Sequence, residues 1–447
     1  MSGHPPAKII FTTPHYELSG VNTFHANLIR ALRRQGWEAE LLITQKDAPW
    51  RIAMPPDPHV PTSNLLQGDE TDWPARWRRL TDYLEAHAPC LYVPGYDFYY
   101  SCVSSLLSDK VGILGVLHSD EEVHYDHAVR LGRYWNRIVC VSRHIAEQTA
   151  QRCPQVADRL VTVPYGVPAC GRAVRDGRAE EPLRIVYAGR LIQYQKRILD
   201  LIDVTRGLNA RGVRYVLTVV GDGPERAVLA KAWKSDIAGG NVLMTGTLSN
   251  AQTQESFLQN DVVILTSAFE GLPLALLEAM GAGCVPVVSQ TESGIPELIR
   301  SGETGFSVKQ GNITGFVDAL AALAGDRSLL QKMSRASFDA VSNGPYEIDT
   351  VAGIYGKMFD EMLQDITGNG FGRLREPIQA PPNLPLLQLD LGGPGMRPIL
   401  RLRRFLRRST TFRQFMAFPC VARMTARALR VYQAVVGFAS VVERGKP

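Results

Sequence analysis

The sequence predicts two doubly wound α/β domains followed by a basic amphipathic extension. The chain has 447 residues, of which 45% are hydrophobic, so it can bury two separate cores. Short apolar runs alternate with amphipathic helical patterns, which is typical of a parallel sheet. This alternation stops at 164–182, a stretch rich in Pro, Gly and charge, and then begins again.

The first domain is predicted to span residues 1–175. A strand at Ile9–Phe11 leads into a helix at Val21–Gln35, which Gly36 ends because glycine readily adopts the left-handed conformation found at helix ends. The later apolar runs predict further strands at Ala39–Ile43, Val111–Leu117, Ile138–Val141 and Leu160–Val163.

The second domain is predicted to span residues 176–345, with its pattern beginning near Glu181. Its strands are expected at Leu183–Ala188, Tyr215–Val220, Asn241–Met244, Val262–Leu265 and Val285–Val288. Helical spacing follows at Gly315–Ala324, Ser328–Val341 and Ile348–Asp365.

The C-terminal part, residues 367–447, is predicted to be a linker and a basic tail. From Phe371 onward there are fourteen Arg or Lys residues and three acidic residues, which gives this part a net charge of +11. Since the whole chain has a net charge of +5, the residues before Phe371 have a net charge of −6. Apolar residues fall near one helical face, with arginines mostly on the others, at Ile399, Leu402, Phe405, Leu406, Phe412, Phe415 and Met416. This pattern predicts that residues 398–430 bind an anionic membrane surface, or alternatively that the stripe packs on the protein. Because the body is mildly acidic, we expect no nucleic-acid partner.

The cellular setting is expected to be the cytoplasm, at the inner face of the membrane if the tail binds lipid. The seven cysteines are scattered and form no CxxC pair, which favours reduced thiols. Met1–Lys8 contains no apolar signal segment. The most apolar long stretch, Leu272–Ser289, carries Glu278 and two glycines and so is not expected to span a membrane.

The segment from Thr266 to Val288 reads as strand, loop, helix and strand. Its loop and helix start, Gly271, Leu272, Pro273 and Leu274, are assigned to binding a phosphate-containing donor, since a helix N-terminus offers unpaired N–H groups. Pro273 is expected in the first helical turn. Glu270 and Glu278 would repel a phosphate and are therefore expected to accept hydrogen bonds from hydroxyl groups, although both could be ordinary acids at a helix start.

Glu270 and Glu278, separated by seven residues, together with Gly271, Pro273 and Ala279-Met280, resemble the E-x7-E signature of family 4 glycosyltransferases. The resemblance covers about Lys8 to Asp365. It implies that Glu270 contacts the donor sugar and Glu278 the ribose of a nucleotide sugar. It also implies the GT-B fold, two facing Rossmann-like domains, with residues 346–366 as a helix that crosses back to the first domain.

A second segment, Val186 to Arg197, resembles the Gly-Arg…Lys motif of the same family. Arg190 and Lys196 would stabilise the negative charge that develops on a departing nucleoside diphosphate, or alternatively both are solvated residues at a helix start. The chain contains no Asp-x-Asp pair of the kind that holds a divalent cation in metal-dependent sugar transferases. We therefore expect no metal site and no cofactor apart from the nucleotide-sugar co-substrate.

Five more residues are assigned by position within the resemblance. Gly20 lies in the loop after the first strand, and His118 ends a strand where the family has a histidine facing the donor sugar. Thr247 and Leu248 follow a strand where the family packs the nucleobase. Tyr165 stands where the family ordinarily has Asn and is assigned to the scaffold.

The sequence therefore predicts a retaining, metal-independent glycosyltransferase that acts on a hydroxyl acceptor, a glycan or a lipid-linked acceptor, with His118, Arg190, Lys196 and Glu270 as catalytic residues. Three alternatives stay open: a nucleotide-sugar epimerase, a sugar phosphorylase of the same fold, and an inactive membrane-associated scaffold. An NAD-binding turn at Gly221–Arg226 is disfavoured because Arg226 occupies the position of the third glycine.

Overall fold

A computed structural model describes residues 7–45, 53–66, 73–171, 181–368, 370, 372–373 and 375–378. Both predicted α/β domains are present within this part of the chain, and they lie in one compact unit. The strands of the first domain are β1 Lys8–Thr13, β2 Glu38–Ile43, β3 Thr62–Asn64, β4 Cys90–Val93, β5 Val111–Leu117, β6 Arg137–Cys140 and β7 Leu160–Thr162.

The first sheet is parallel throughout, in the order β3-β2-β1-β4-β5-β6-β7. Strand β4 pairs with both β1 and β5, so the chain reverses its winding direction beside it. Sequence analysis did not find β4, because four apolar residues between Pro89 and Pro94 form too short a run to show a period. All four are buried, as expected for a strand covered on both faces.

The second sheet is also parallel, in the order β10-β9-β8-β11-β12-β13. Four of its first five strands begin at the predicted residue, and β13 was not predicted. Their bounds are β8 Leu183–Ala188, β9 Tyr215–Val220, β10 Val242–Gly246, β11 Val262–Leu265, β12 Val285–Ser289 and β13 Phe306–Val308.

Helices cover both sheets. Those of the first domain are α1 Gly20–Arg34, α2 Trp73–Ala86, α3 Glu122–Leu131 and α4 Arg143–Arg152, with 3-10 turns at Tyr100–Ser105, Gly132–Tyr134 and Pro154–Arg159. Those that follow are α5 Gln193–Lys196, α6 Asp200–Ala210, α7 Arg226–Ala232, α8 Lys234–Ala238, α9 Asn250–Gln259, α10 Leu274–Gly281, α11 Ile295–Leu298, α12 Ile313–Gly325, α13 Arg327–Ser342 and α14 Ile348–Thr367. Among the described helices, none has the length and apolar character that a membrane crossing requires.

Helix α14 lies against the first domain. The ring of Phe359 lies 5.9 Å from that of Trp37, and the Asp349 carboxylate accepts a hydrogen bond of 2.5 Å from Arg34. A Cβ atom added at Gly112 of β5 would lie 3.4 Å from the Met362 side chain. These contacts place α14 on the domain formed by the beginning of the chain.

The predicted linker differs from the structure at its start. Residues 372–373 and 375–378 follow the surface of the first domain, where the Arg373 guanidinium donates hydrogen bonds to the carbonyls of Ser108 (2.8 Å) and Val111 (3.1 Å) and to Asn136 Oδ1 (2.9 Å). The proline- and glycine-rich composition that favoured a linker from 367 did not reveal this anchor. The predicted tail helix and the membrane-binding region 398–430 lie outside the described residues.

Candidate active site

The predicted catalytic residues follow strands near the middle of each sheet. His118 comes directly after β5, Arg190 comes two residues after β8, and Glu270 lies between β11 and α10. The carboxyl ends of parallel strands are where open α/β sheets bind ligands, because the loops there vary freely over a rigid support. The fold therefore places these residues where a ligand site is expected.

Lys196 and Glu270 form an ion pair in which Glu270 is buried and Lys196 is half-buried. Lys196 Nζ lies 2.7 Å from Glu270 Oε1, and the two side chains are 16% and 5% exposed. The loop that carries Lys196 is tied to the loop before Glu270, since Thr266 Oγ1 donates to the Lys196 carbonyl (2.9 Å) and the Ala268 amide donates to the Gln195 carbonyl (2.7 Å). Two segments 74 residues apart in sequence are thus held as one rigid unit.

Arg190 presents an exposed guanidinium on a well-supported backbone. Its NH2 group donates to Gln195 Oε1 (3.0 Å), while its carbonyl accepts a hydrogen bond from the buried Tyr187 hydroxyl (2.9 Å). Behind it, a Cβ atom at Gly223 would lie 2.5 Å from the Leu191 carbonyl oxygen. The glycine turn that resembles a dinucleotide-binding loop therefore packs against the protein's own Arg190 loop.

Glu278 lies in the second turn of α10 in a poorly solvated position. Burial raises the pKa of its carboxyl group to about 7, although a hydrogen bond from the Gln254 side chain favours the ionised form. The carboxylate therefore gains or loses its proton near neutral pH.

The loop before α10 forms part of the contact between the two domains. Gly271 and Ser119 make an isolated antiparallel bridge, and a Cβ atom at Gly271 would lie 2.1 Å from the His118 carbonyl oxygen. The Gly271 carbonyl accepts a hydrogen bond from Ser293 Oγ (2.9 Å), which in turn lies 2.8 Å from Ser142 Oγ of the first domain. Because the two backbones approach so closely, there is no room for a side chain at this position, and Gly271 is required.

Pro273 is positioned differently from the prediction. It is the N-cap residue of α10, with φ −68° and ψ 111°, and helical geometry begins at Leu274. The expectation that Pro273 lies in the first helical turn was therefore wrong by one residue. Leu272 and Leu274 are buried on either side of it.

His118 is buried among aromatic rings of the first domain. Its Nδ1 lies 2.8 Å from Tyr165 Oη, and the ring of His25 lies edge-on at 5.6 Å. Burial, with smaller contributions from the His25 and His124 imidazoles, holds the pKa of His118 well below its ordinary value. His118 is therefore neutral at physiological pH.

The remaining predicted donor residues are divided between the domains. Gly20 is exposed at the first position of α1, and a Cβ atom there would lie 3.8 Å from Leu274 Cβ. It therefore faces the start of α10 across the domain contact. Thr247 and Leu248 are half-buried in the loop between β10 and α9.

The second domain matches a known sequence family. The family described as glycosyl transferases group 1 matches residues 174–339. Similar curated proteins include the sulfoquinovosyl transferase of Arabidopsis thaliana, 29% identical over 56% of this chain and 46% of that protein. Another is the N-acetyl-alpha-D-glucosaminyl L-malate synthase of Bacillus anthracis, 29% identical over 38% of this chain and 43% of that protein. The chain thus spans less than half the length of these two relatives.

Solved structures match over nearly their whole length. TarM of S. aureus, crystallised with UDP among its ligands, superposes with a TM-score of 0.66 at 11% identity, covering 79% of this chain and 99% of TarM. HepE of Anabaena, in complex with UDP-glucose, superposes with a TM-score of 0.64 at 15% identity, covering 79% of this chain and 99% of HepE. The chain has the GT-B fold, and its second domain matches the group 1 glycosyl transferases. Its fold class was therefore predicted correctly from sequence.

Glu121 is a polar residue of this site to which the sequence analysis assigned no role. It is half-buried at the N-cap of α3, three residues after His118. Burial raises the pKa of its carboxyl group, the negative charge of Glu270 raises it further, and the positive charges of Arg190 and Lys196 lower it. Glu121 therefore brings a carboxylate of the first domain into the electrostatic field of the second.

Tyr165 was assigned to the scaffold, but its hydroxyl group contacts a predicted catalytic residue, His118. The sequence contained one signal, the tyrosine in place of the family's usual Asn.

Within the described residues, no group of three or more His, Cys, Asp or Glu side chains comes together as metal ligands do.

Proposed function

We propose that this protein is a retaining glycosyltransferase that transfers a sugar from a nucleotide diphosphate donor to a hydroxyl acceptor without a metal ion. The observation that carries the proposal is the Lys196–Glu270 ion pair, beside the exposed Arg190, on a group 1 domain that meets His118 of the first domain. This arrangement combines cations for a diphosphate with a carboxylate for sugar hydroxyls.

Each second-domain residue has a distinct role in the proposed reaction. Arg190 and Lys196 stabilise the charge that collects on the diphosphate as its bond to the anomeric carbon breaks. Glu270 accepts hydrogen bonds from the transferred sugar, and the ion pair with Lys196 keeps its carboxylate oriented. Glu278 accepts hydrogen bonds from the ribose hydroxyls.

The sugar is transferred with retention of anomeric configuration. The acceptor oxygen attacks the anomeric carbon on the face from which the diphosphate departs, and an oxygen of the leaving phosphate takes the acceptor's proton. A new glycosidic bond forms to the acceptor oxygen, and the bond between the anomeric carbon and the diphosphate oxygen breaks. The acceptor's proton ends on the nucleoside diphosphate. No covalent intermediate with the protein is required, so this mechanism needs no nucleophilic carboxylate.

The basic tail is proposed to attach the enzyme to an anionic membrane surface, where a lipid-linked acceptor would lie. The sequence supports this proposal through the +11 balance from Phe371 and the apolar stripe between Ile399 and Phe418. Liposome binding that needs acidic lipid and weakens as salt rises would support it. Equal binding to neutral and acidic liposomes would contradict it.

The enzymatic proposal is tested with the full chain and a panel of nucleotide sugars in excess EDTA. A donor at 100 times its dissociation constant adds ~2.7 kcal/mol to the free energy of unfolding, so a thermal-shift screen selects the donor. Release of nucleoside diphosphate and the anomeric proton coupling of the glycoside product are then measured. Retention without added metal supports the proposal, whereas inversion, a strict metal requirement or no turnover of any donor contradicts it.

A further inference from the structure

One ring nitrogen of His118 is unpaired within the described part of the protein. The residue is 5% exposed, and its Nε2 is buried with no hydrogen-bond partner in the described part of the protein. Buried polar atoms are nearly always paired, by protein, water or a ligand. The backbone carbonyl of His118 lies against Gly271 of the predicted donor loop, so the unpaired Nε2 belongs to a residue at the domain contact.

The partner of the other nitrogen determines which one carries the hydrogen. Tyr165 is 4% exposed, and its hydroxyl group lies 2.8 Å from His118 Nδ1, with no other hydrogen-bond partner among the described residues. A buried phenol must donate its proton to an acceptor, and Nδ1 is within reach. If Nδ1 carried the hydrogen, the phenol proton would have no acceptor among these residues.

We propose that Tyr165 is a positioning residue that holds His118 in the tautomer protonated at Nε2, so that Nε2 donates a hydrogen bond to a hydroxyl oxygen of the donor sugar. The identity of that partner rests on the proposed function, since a sugar must lie beside His118. A neutral N–H group can donate a hydrogen bond to a hydroxyl oxygen. In this arrangement the cations of the second domain bind the diphosphate. Burial keeps the imidazole neutral, which agrees with this assignment.

The surrounding rings hold Tyr165 in place independently of its hydroxyl group. The Tyr165 ring lies 4.5 Å from that of Phe24 and 5.9 Å from that of His118. Tyr165→Phe therefore keeps the packing and removes only the proton donor. Tyr355→Phe is a matched control, because Tyr355 is also fully buried and contacts Phe24 (6.3 Å between rings) without a hydrogen bond to His118.

The test uses the full-length protein with 15N-labelled histidine. Nitrogen chemical shifts distinguish the two imidazole tautomers, and His118→Asn identifies the His118 signals by their loss. We expect the Nε2–H tautomer in the wild type and in Tyr355→Phe, and a mixture of tautomers in Tyr165→Phe. Turnover of the donor should fall about tenfold in Tyr165→Phe, as expected for one lost hydrogen bond, with unchanged affinity for nucleoside diphosphate.

Two outcomes would overturn the proposal. A wild-type spectrum with the hydrogen on Nδ1 would do so directly, even if Tyr165→Phe failed to fold. A folded Tyr165→Phe variant with unchanged tautomer and turnover would show that the hydroxyl group is only structural. Failure of the proposed function is distinguishable, because absence of turnover with every donor would remove the sugar as the partner of Nε2, while the spectra would still report the effect of Tyr165.

Discussion

Among the predicted catalytic residues, the one from the first domain is neutral, whereas those from the second domain are charged. On the first-domain side, the neutral imidazole of His118 contacts the hydroxyl group of Tyr165. On the second-domain side, Lys196 and Glu270 form an ion pair and Arg190 extends its guanidinium towards solvent. The two sides accommodate polar residues by different means. His118 of the first domain is neutral, whereas the charges of Lys196 and Glu270 in the second domain are paired.

This difference suggests how the two domains divide the proposed reaction. Charge develops on the diphosphate as it departs, so the second domain must supply preorganised cations. The sugar stays uncharged until the transition state, so a neutral hydrogen-bond donor is sufficient on the first-domain side. Substitutions on the charged side should therefore have larger effects on turnover and on pH dependence than substitutions on the neutral side.

The largest effect is expected from Lys196→Met. Turnover should fall by about 100- to 1,000-fold, because a charge that stabilises the leaving diphosphate is lost. Removing Lys196 also leaves the buried Glu270 carboxylate without its partner, which should lower the free energy of unfolding by up to about 3 kcal/mol. Donor turnover and urea unfolding measure the two effects.

Two controls separate charge loss from misfolding. The double variant Lys196→Met/Glu270→Gln has no unpaired charge and should regain stability without regaining turnover. Arg206→Ala breaks an exposed ion pair with Asp203, whose side chains are 70% and 58% exposed, and should change stability by less than ~1 kcal/mol. Wild-type turnover in the double variant would contradict the assignment of Lys196.

Arg190→Ala should lower turnover by about 100-fold with almost no loss of stability. Its guanidinium is exposed and donates one described hydrogen bond, to Gln195, so folding depends little on it. Steady-state kinetics and urea unfolding measured together test this separation. Near-normal turnover in the folded variant would show that Arg190 is only a solvated surface residue.

His118→Ala should lower turnover by about 10- to 50-fold, since it removes one neutral hydrogen bond. Affinity for the nucleoside diphosphate should not change, because His118 belongs to the first domain. Calorimetric titration with the diphosphate and kinetics with the intact donor distinguish the two effects. A loss of diphosphate affinity that matches the loss of turnover would contradict the division between the domains.

The smallest expected effect is a pH dependence of nucleotide-sugar affinity caused by Glu278, whose pKa is about 7 in the free protein. Ribose hydroxyls donate to the ionised form, so affinity should rise about tenfold between pH 6 and pH 8 as the carboxyl group loses its proton. The same raised pKa contributes stability that is present below pH 4.5 and is lost as pH rises to about 7.

Glu278→Gln provides the matched control for this pH dependence. It should bind the intact nucleotide sugar with nearly the same affinity at pH 6 and pH 8, since an amide does not titrate. If wild type and Glu278→Gln share the same pH profile, the titrating group lies elsewhere.

Much of the fold was predictable from sequence because its signals are local. Strands such as Leu183–Ala188 and Tyr215–Val220 are apolar runs long enough to recognise, and both were predicted with the observed bounds. Strand β4 escaped because its four residues form no recognisable period, although it pairs with both β1 and β5. The prediction for Pro273 was wrong by one residue because the first residue of a helix depends on the conformation of the preceding loop.

The sequence by itself determined the two-domain class and the positions of Arg190, Lys196, Glu270 and Glu278 along the chain, since motif spacing survives without tertiary information. Only the tertiary structure decided that Lys196 pairs with Glu270, 74 residues away, and that Tyr165 contacts His118, 47 residues away. The physical reason is that hydrogen bonding, burial and pKa depend on neighbours brought together by sheet order and domain contact, which no local pattern records.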